Sequence, residues 1–324
     1  MKNSSKADLT LGIDIGGTNT VFGIVDDNGD ILAKGNIPTT GHPGFTEYID
    51  NLYEAVSIKL RDAGIPYERL AAIGVGAPCI NTRTGVIEGA VDLPWESPIP
   101  LTDRLTAVFG LPAAGENDAN AAALGEMYYG AARGMDNYIM LTLGTGVGSA
   151  IICDGRLLRG KRGLAGELGH AIIRHDQQAR PCSCGRKGCL ETYTSARGVV
   201  ETAKRLISDT DTPSILRNFD EINAKDIGEA AKNGDPLALA TFRITGDILG
   251  EACANFTTFS SPEAFIFFGG VAHSFPFFEE AMRRSFNRHL LWVYDGQVSF
   301  MRSSLPEADA AILGAAATGR AVAM

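Results

Sequence analysis

The chain has 324 residues, 45% apolar and 21% charged, enough to bury one large core or two ordinary ones and too apolar for intrinsic disorder. Its 29 Lys+Arg against 38 Asp+Glu leave a net charge of −9, which gives no broad electrostatic footprint for nucleic acid or an anionic membrane. An anionic ligand has to be met locally, by backbone N–H groups, helix ends or a metal.

The first residues carry lysines but no apolar run, so no signal peptide is expected. No stretch approaches the ~18 apolar residues of a membrane span. The expected compartment is the cytoplasm, where thiols stay reduced, so six cysteines call for an explanation other than disulfides. A buried strand is predicted over 9–15. Gly16 and Gly17 turn the chain into a second strand over 20–25, and the Asn28-Gly29 hairpin signal leads to a third from 31. Phe45, Tyr48, Ile49, Leu52, Val56 and Leu60 recur at helical spacing, and 70–76 is another buried strand. The opening unit then recurs: a strand over 138–143, the glycine turn at 144–146, a strand over 147–153, the Asp154-Gly155 turn and a third strand from 156. A unit repeated half a chain apart predicts two similar α/β halves. Helices follow over 195–208 and from Asp235-Pro236, an N-cap and first-turn pair, to about 259. A strand over 264–268 ends in Gly269-Gly270. A helix over 276–289, a strand over 297–301 and a small-residue helix from 306 close the chain.

Five clusters carry chemistry. Asp14-Ile15-Gly16-Gly17-Thr18-Asn19 puts a carboxylate at a strand end before a turn whose N–H groups suit phosphate oxygens, and Asp14 is placed to orient a magnesium ion through water. It is neither a Walker A loop nor a dinucleotide fingerprint, because a hairpin follows where a helix is required. Gly144-Thr145-Gly146-Val147-Gly148 repeats that turn in the second half, and the pair is more specific than either member; Gly269-Gly270 would let backbone approach a flat adenine. Glu116-Asn117-Asp118-Ala119-Asn120 opens an alanine-rich helix. Asp118 or its neighbour caps it, and an Asp118 held ionised there can take a proton from a hydroxyl. His170, Cys182, Cys184 and Cys189 have the donor types of a tetrahedral, protein-filled structural zinc site. It would pin 163–191, where Glu167, His170 and Glu191 can meet sugar hydroxyls. Cys79, Cys153 and Cys253 read as core thiols.

In this order, and with Cys182-Ser183-Cys184-Gly185-Arg186-Lys187-Gly188-Cys189-Leu190-Glu191 at the end, these motifs resemble the ROK family of sugar kinases, in particular its bacterial glucokinases. The resemblance implies a two-domain, actin-like and ribonuclease-H-like α/β fold with a duplicated βββαβα core and an active-site cleft between domains. The small domain would be 1–120 with the terminal helix at about 305–324. The large one, 121–304, would carry the zinc loop and dimerisation helices. The implied activity is ATP-dependent phosphorylation of a hexose at its 6-hydroxyl, in carbohydrate metabolism and glycolysis, by a homodimer. Asp118 would be the general base. Asn117, Asp118, Glu167, His170 and Glu191 would bind the sugar. Asp14, Gly16, Gly17, Thr18, Asn19, Gly144, Thr145, Gly146, Gly269 and Gly270 would bind ATP with Mg2+, and His170, Cys182, Cys184 and Cys189 would hold Zn2+.

The chain departs from the family at Asn19, often lysine; at Ser149-Ala150, where glycines often continue; at Asp92-Leu93-Pro94-Trp95; and in a slightly long gap from His170 to Cys182. None removes a catalytic group. Glucose, N-acetylglucosamine, N-acetylmannosamine, mannose, fructose and allose stay open, because one hydroxyl or acetyl is read by loop shape. A sugar-sensing repressor needs a DNA-binding helix-turn-helix, which is not expected ahead of Leu9. A non-catalytic sugar-binding protein would not need Asp118 and both glycine loops.

Overall fold

The computed structural model describes residues 7–89, 93–161, 163–306 and 308–323; Asp92 of the departing Asp-Leu-Pro-Trp stretch lies outside them. The chain divides into two compact units. The first runs through Gly134 and takes in Arg159–Ala165 and the chain from Ser304 on. The second is Met135–Leu158 and Gly166–Ser303. The division thus falls after Gly134, and the helix that opens at Asp118 lies wholly in the first unit.

The first unit is built on β1 (Leu9–Ile15), β2 (Asn19–Val25), β3 (Ile31–Pro38), α1 (Phe45–Asp62) and β4 (Leu70–Gly76). A small sheet of β5 (Ile80–Asn81), β6 (Val86–Ile87) and β7 (Ile99–Pro100) follows, then α2 (Leu101–Phe109), β8 (Ala113–Glu116) and α3 (Asp118–Tyr129). The main sheet runs β3-β2-β1-β4-β8, with β1 antiparallel to β2 and parallel to β4. β1 is buried nearly throughout because the sheet is covered on both faces. The terminal helix Ala310–Ala323 lies on β1 and β4 at backbone distance. A Cβ on Gly12 or Gly74 would collide with main-chain atoms of Ile312 or Ala315. The same helix meets α3 at Gly125 and Gly314, where a Cβ on Gly125 would stand 3.2 Å from the Gly314 backbone. Small residues in both helices thereby fix the axis of α3 and the place of its first turn.

The second unit begins with β9 (Tyr138–Leu143), β10 (Val147–Cys153) and the short β11 (Arg156–Leu157). It continues through α4 (Glu191–Thr194), α5 (Ala196–Asp209), α6 (Ala224–Lys232) and α7 (Pro236–Ser260) to β12 (Ala264–Phe268), α8 (Phe275–His289) and β13 (Ser299–Arg302). Its sheet runs β11-β10-β9-β12-β13, position for position the order of the first, and β9 is again antiparallel to its hairpin partner and parallel to β12. The duplication read from the two glycine turns is therefore a duplication of sheet topology. Asp235 caps α7 by accepting from the N–H groups of Leu237 and Ala238, both at 3.0 Å, with Pro236 at the first helical position.

Two readings of the cysteines need correction: Cys79 and Cys153 are exposed, and of the three apolar-flanked thiols only Cys253 is buried. Cys153 ends β10 at the Asp154-Gly155 turn, and Cys79 sits in a left-handed loop conformation at φ 53°. Apolar neighbours in sequence do not bury a side chain at a strand end or in a turn. All six cysteines are free thiols.

Candidate active site

β8 ends at Glu116, and Asn117 caps α3, its Oδ1 accepting from the Asn120 N–H at 2.9 Å. The cap is thus Asn117, and Asp118 stands at the first helical position with its carboxylate free of that duty. Asp118 is exposed, yet the protein around it pushes its carboxyl above the ordinary range, opposed by its own backbone N–H. Desolvation thus outweighs the N–H contribution in the direction of the shift. Half-buried at the end of β1, Asp14 is pushed up to about 6, first by burial and then by the like charge of Asp118. Gly76 on β4 leaves room for this carboxylate, since a Cβ there would stand 3.1 Å from Asp14 Oδ1. The turn after Asp14 closes through Gly16 N–H donating to the Asn19 carbonyl at 3.0 Å, with Thr18 and Asn19 exposed.

Glu116 is 1% exposed. Its Oε1 accepts from Arg159 Nε at 2.6 Å and its Oε2 from Asn120 Nδ2 at 3.0 Å. Burial raises this carboxyl while Arg159 and Asn120 oppose the rise. The carboxylate thus braces the first turn of α3 from beneath. Arg159 has no signal in sequence; it reaches Glu116 only because Arg159–Ala165 returns to the first unit.

In the second unit the turn between β9 and β10 closes through Gly144 N–H donating to the Gly146 carbonyl at 3.0 Å. The Gly144 carbonyl accepts from Ala196 N–H at 2.8 Å, at the start of α5. Glu191 also reaches this loop, its Oε2 accepting from Val147 N–H at 3.1 Å. Gly269, at φ 93°, brings the end of β12 against the Leu143 backbone, where a Cβ would stand 2.9 Å from the Leu143 carbonyl. Gly270 lines a cavity of about 470 Å3 with Gly144, Thr145, Val271, Lys225 and Lys232. The two lysines come from α6, which the sequence reading did not find. Ser149, one of the departures, fastens Gly166–Leu168 to β10: its hydroxyl donates to the Gly166 carbonyl and accepts from Leu168 N–H. Glu167, exposed, precedes the single turn Leu168–His170.

His170, Cys182, Cys184 and Cys189 converge, with ligand atoms all within 4.8 Å of one another. Zn–S bonds of ~2.3 Å and a Zn–N bond of ~2.0–2.1 Å in a tetrahedron require S···S near ~3.8 Å and S···N near ~3.6 Å. The Cys184 and Cys189 sulfurs are 3.7 Å apart, and Cys182 Sγ is 3.6 Å from His170 Nδ1. The donor set therefore fits zinc in kind, and these two pairs fit it in spacing. Arg186 holds the Cys184 thiol down at about 6, while burial pushes the Cys182 thiol up and that of Cys189 to about 12. Arg180 anchors the loop from inside. Its buried guanidinium donates to the Thr192 and Gly198 carbonyls, both at 2.9 Å, and lies 4.7 Å from the centre of the Tyr193 ring.

Against known proteins, the model of the ROK family matches residues 10–321. The chain belongs to the ROK family. A glucokinase from Halalkalibacterium halodurans is 37% identical over 81% of this chain and 80% of its own. The ROK hexokinase of Thermus thermophilus superposes with a TM-score of 0.79 at 31% identity, covering 97% of this chain and 98% of that one. A ROK glucokinase from Streptomyces griseus, solved with glucose and AMPPNP, gives 0.73 at 34% identity over 97% and 99%. N-acetylmannosamine kinases and xylose repressors also stand among the relatives. This ROK chain thus has the actin-like fold of its sugar-kinase neighbours, in which each sheet carries one glycine loop. Of the residues singled out from sequence, Asp14, Gly16, Gly17, Thr18, Asn19, Asn117 and Asp118 fall in the first unit. Gly144, Thr145, Gly146, Glu167, His170, Cys182, Cys184, Cys189, Glu191, Gly269 and Gly270 fall in the second.

Proposed function

We propose that this ROK protein is an ATP-dependent hexose kinase that phosphorylates the 6-hydroxyl of glucose. One observation carries the reading. Asp118 is solvent-accessible on the first turn of α3, its carboxylate unspent on the cap and raised in basicity by its surroundings. Such a group accepts the hydroxyl proton as the sugar oxygen attacks the γ-phosphorus. The new O–P bond forms as the bond from the γ-phosphorus to the β,γ-bridging oxygen breaks, and that oxygen leaves on ADP. Identities of 31–37% to curated glucokinases over most of the chain support glucose as the acceptor.

Asn117, Asp118, Glu167, His170 and Glu191 are assigned to the sugar hydroxyls. Asp14, Gly16, Gly17, Thr18 and Asn19 are assigned to ATP, as are Gly144, Thr145, Gly146, Gly269 and Gly270. Magnesium, when bound with ATP, would neutralise phosphate charge; Asp14 is the carboxylate placed to hold it through water. His170, Cys182, Cys184 and Cys189 are assigned to a structural zinc, which their spacing fits. The protein is expected to work in the cytoplasm as a homodimer.

The test is ADP release with magnesium and ATP against glucose, mannose, fructose, allose, N-acetylglucosamine and N-acetylmannosamine. Turnover with glucose above the other sugars is expected. A preference for N-acetylmannosamine would move the protein to the other kinase class among its relatives. Silence on every sugar from folded, metal-loaded protein would sink the kinase reading.

A further inference from the structure

We propose that Glu191 is a positioning residue for the nucleotide: its carboxylate holds the Gly144–Val147 loop in its phosphate-ready form. The inference rests on the reading that this loop takes ATP phosphate. It goes beyond the role given to Glu191 as a sugar contact.

Three observations point the same way. The first is a hydrogen bond. Glu191 Oε2 accepts from Val147 N–H at 3.1 Å, across 44 residues of sequence. The second is a steric fit. A Cβ on Gly146 would run into Glu191 Oε2, and among the described residues Glu191 alone, the chain neighbours aside, comes within 4 Å of that Cβ. Gly146 is not among the described residues with left-handed backbone, so its conformation does not demand glycine. What a side chain there would meet is the Glu191 carboxylate, which would have to leave its place to admit it. The third is the anchoring of Glu191. It opens α4 immediately after Cys189 and Leu190, both fully buried. The backbone that carries Glu191 is thus fixed, and its carboxylate lies against Gly146 and Val147. A loop of glycines is entropically costly to order, and a phosphate-binding loop gains affinity when that ordering precedes the ligand. Glu191 supplies the ordering without touching the nucleotide.

The experiment measures ADP binding by calorimetry without sugar, on the metal-loaded chain. Glu191→Ala is expected to weaken ADP about tenfold, the scale of one hydrogen bond to a charged acceptor. Glu191→Gln is expected to stay within about threefold of the parent, because its side-chain carbonyl still accepts from Val147 N–H. Gly146→Ala is expected to weaken ADP in the parent chain and to add nothing in the Glu191→Ala background, where the space has been vacated. Parent-like affinity in Glu191→Ala, or a Gly146→Ala penalty of equal size in both backgrounds, would overturn the inference. Should Glu191→Ala fail to fold, Glu191→Gln decides instead, and a loss of ADP affinity well beyond threefold in that variant would overturn the inference. A parent protein that binds no ADP would instead overturn the nucleotide reading of the loop.

Discussion

The two glycine turns occupy equivalent corners of equivalent sheets, yet the carboxylates near them are held differently. The turn after β1 follows a carboxylate, Asp14, and its unit supplies a second carboxylate, Asp118, close enough to raise the first. At the equivalent place β9 has Thr142, and the carboxylate that reaches that turn, Glu191, accepts from the backbone N–H of Val147. The first turn stands beside carboxylates that burial and like charge raise, whereas the second has its carboxylate engaged by backbone N–H. The sheet order is the same in both units, while the side chains at the turns differ.

The largest expected effect tests the acidic side. Asp118→Asn should lower turnover by at least about a hundredfold, the scale of a lost general base, and leave sugar binding by calorimetry within about threefold. Near-native turnover would remove Asp118 from the chemistry and, with it, the contrast between the turns. On the side of the second turn, Cys184→Ser should lose one equivalent of zinc by elemental analysis and lower the melting temperature by about 5 °C. A chelator should do the same to the parent protein. Full metal content in that variant would break the assignment of the cluster.

A smaller effect is expected beneath Asp118. Arg159→Met leaves Glu116 buried with Asn120 as its remaining partner, and should cost about 2 kcal/mol in urea unfolding at pH 7. The loss should shrink as pH falls, because a protonated Glu116 no longer needs the cation. Equal losses at pH 5 and pH 8 would argue against the ion pair. The smallest effect has the opposite sign. Asp14 carries its proton up to about 6 in the fold, against an ordinary value of 3.8. Between those values the folded chain holds a proton that the unfolded chain has released, so stability falls as pH rises through that window and the deficit is complete by pH 7. Asp14→Asn should therefore be more stable than the parent at pH 7, and the advantage should vanish below pH 4. It should be less active all the same. A variant both less stable and less active would mean that Asp14 is structural.

Local pattern determined much of this molecule. Alternation and turn chemistry located β1, β4 and β12 to the residue, and Asp235-Pro236 marked the start of α7, because these signals act within a few residues. The cysteine spacing likewise contained its own geometry, since separations of 2 and 5 positions leave three thiols nowhere far apart. What local pattern missed was short or remote. The small sheet β5–β7 and helices α2 and α6 carry too few residues for periodicity to emerge above their neighbours. The burial of the cysteines failed for a related reason: Cys79 and Cys153 stand in apolar company along the chain but at a turn and a strand end in space. Arg159 with Glu116 and Glu191 with Val147 are pairings across 43 and 44 residues. The sequence by itself determined which groups can do the chemistry, through their types and the turns that carry them. Only the tertiary structure decided which carboxylate is free and which is engaged, because desolvation, like charge and a vacant Cβ position are properties of neighbours that meet only after folding.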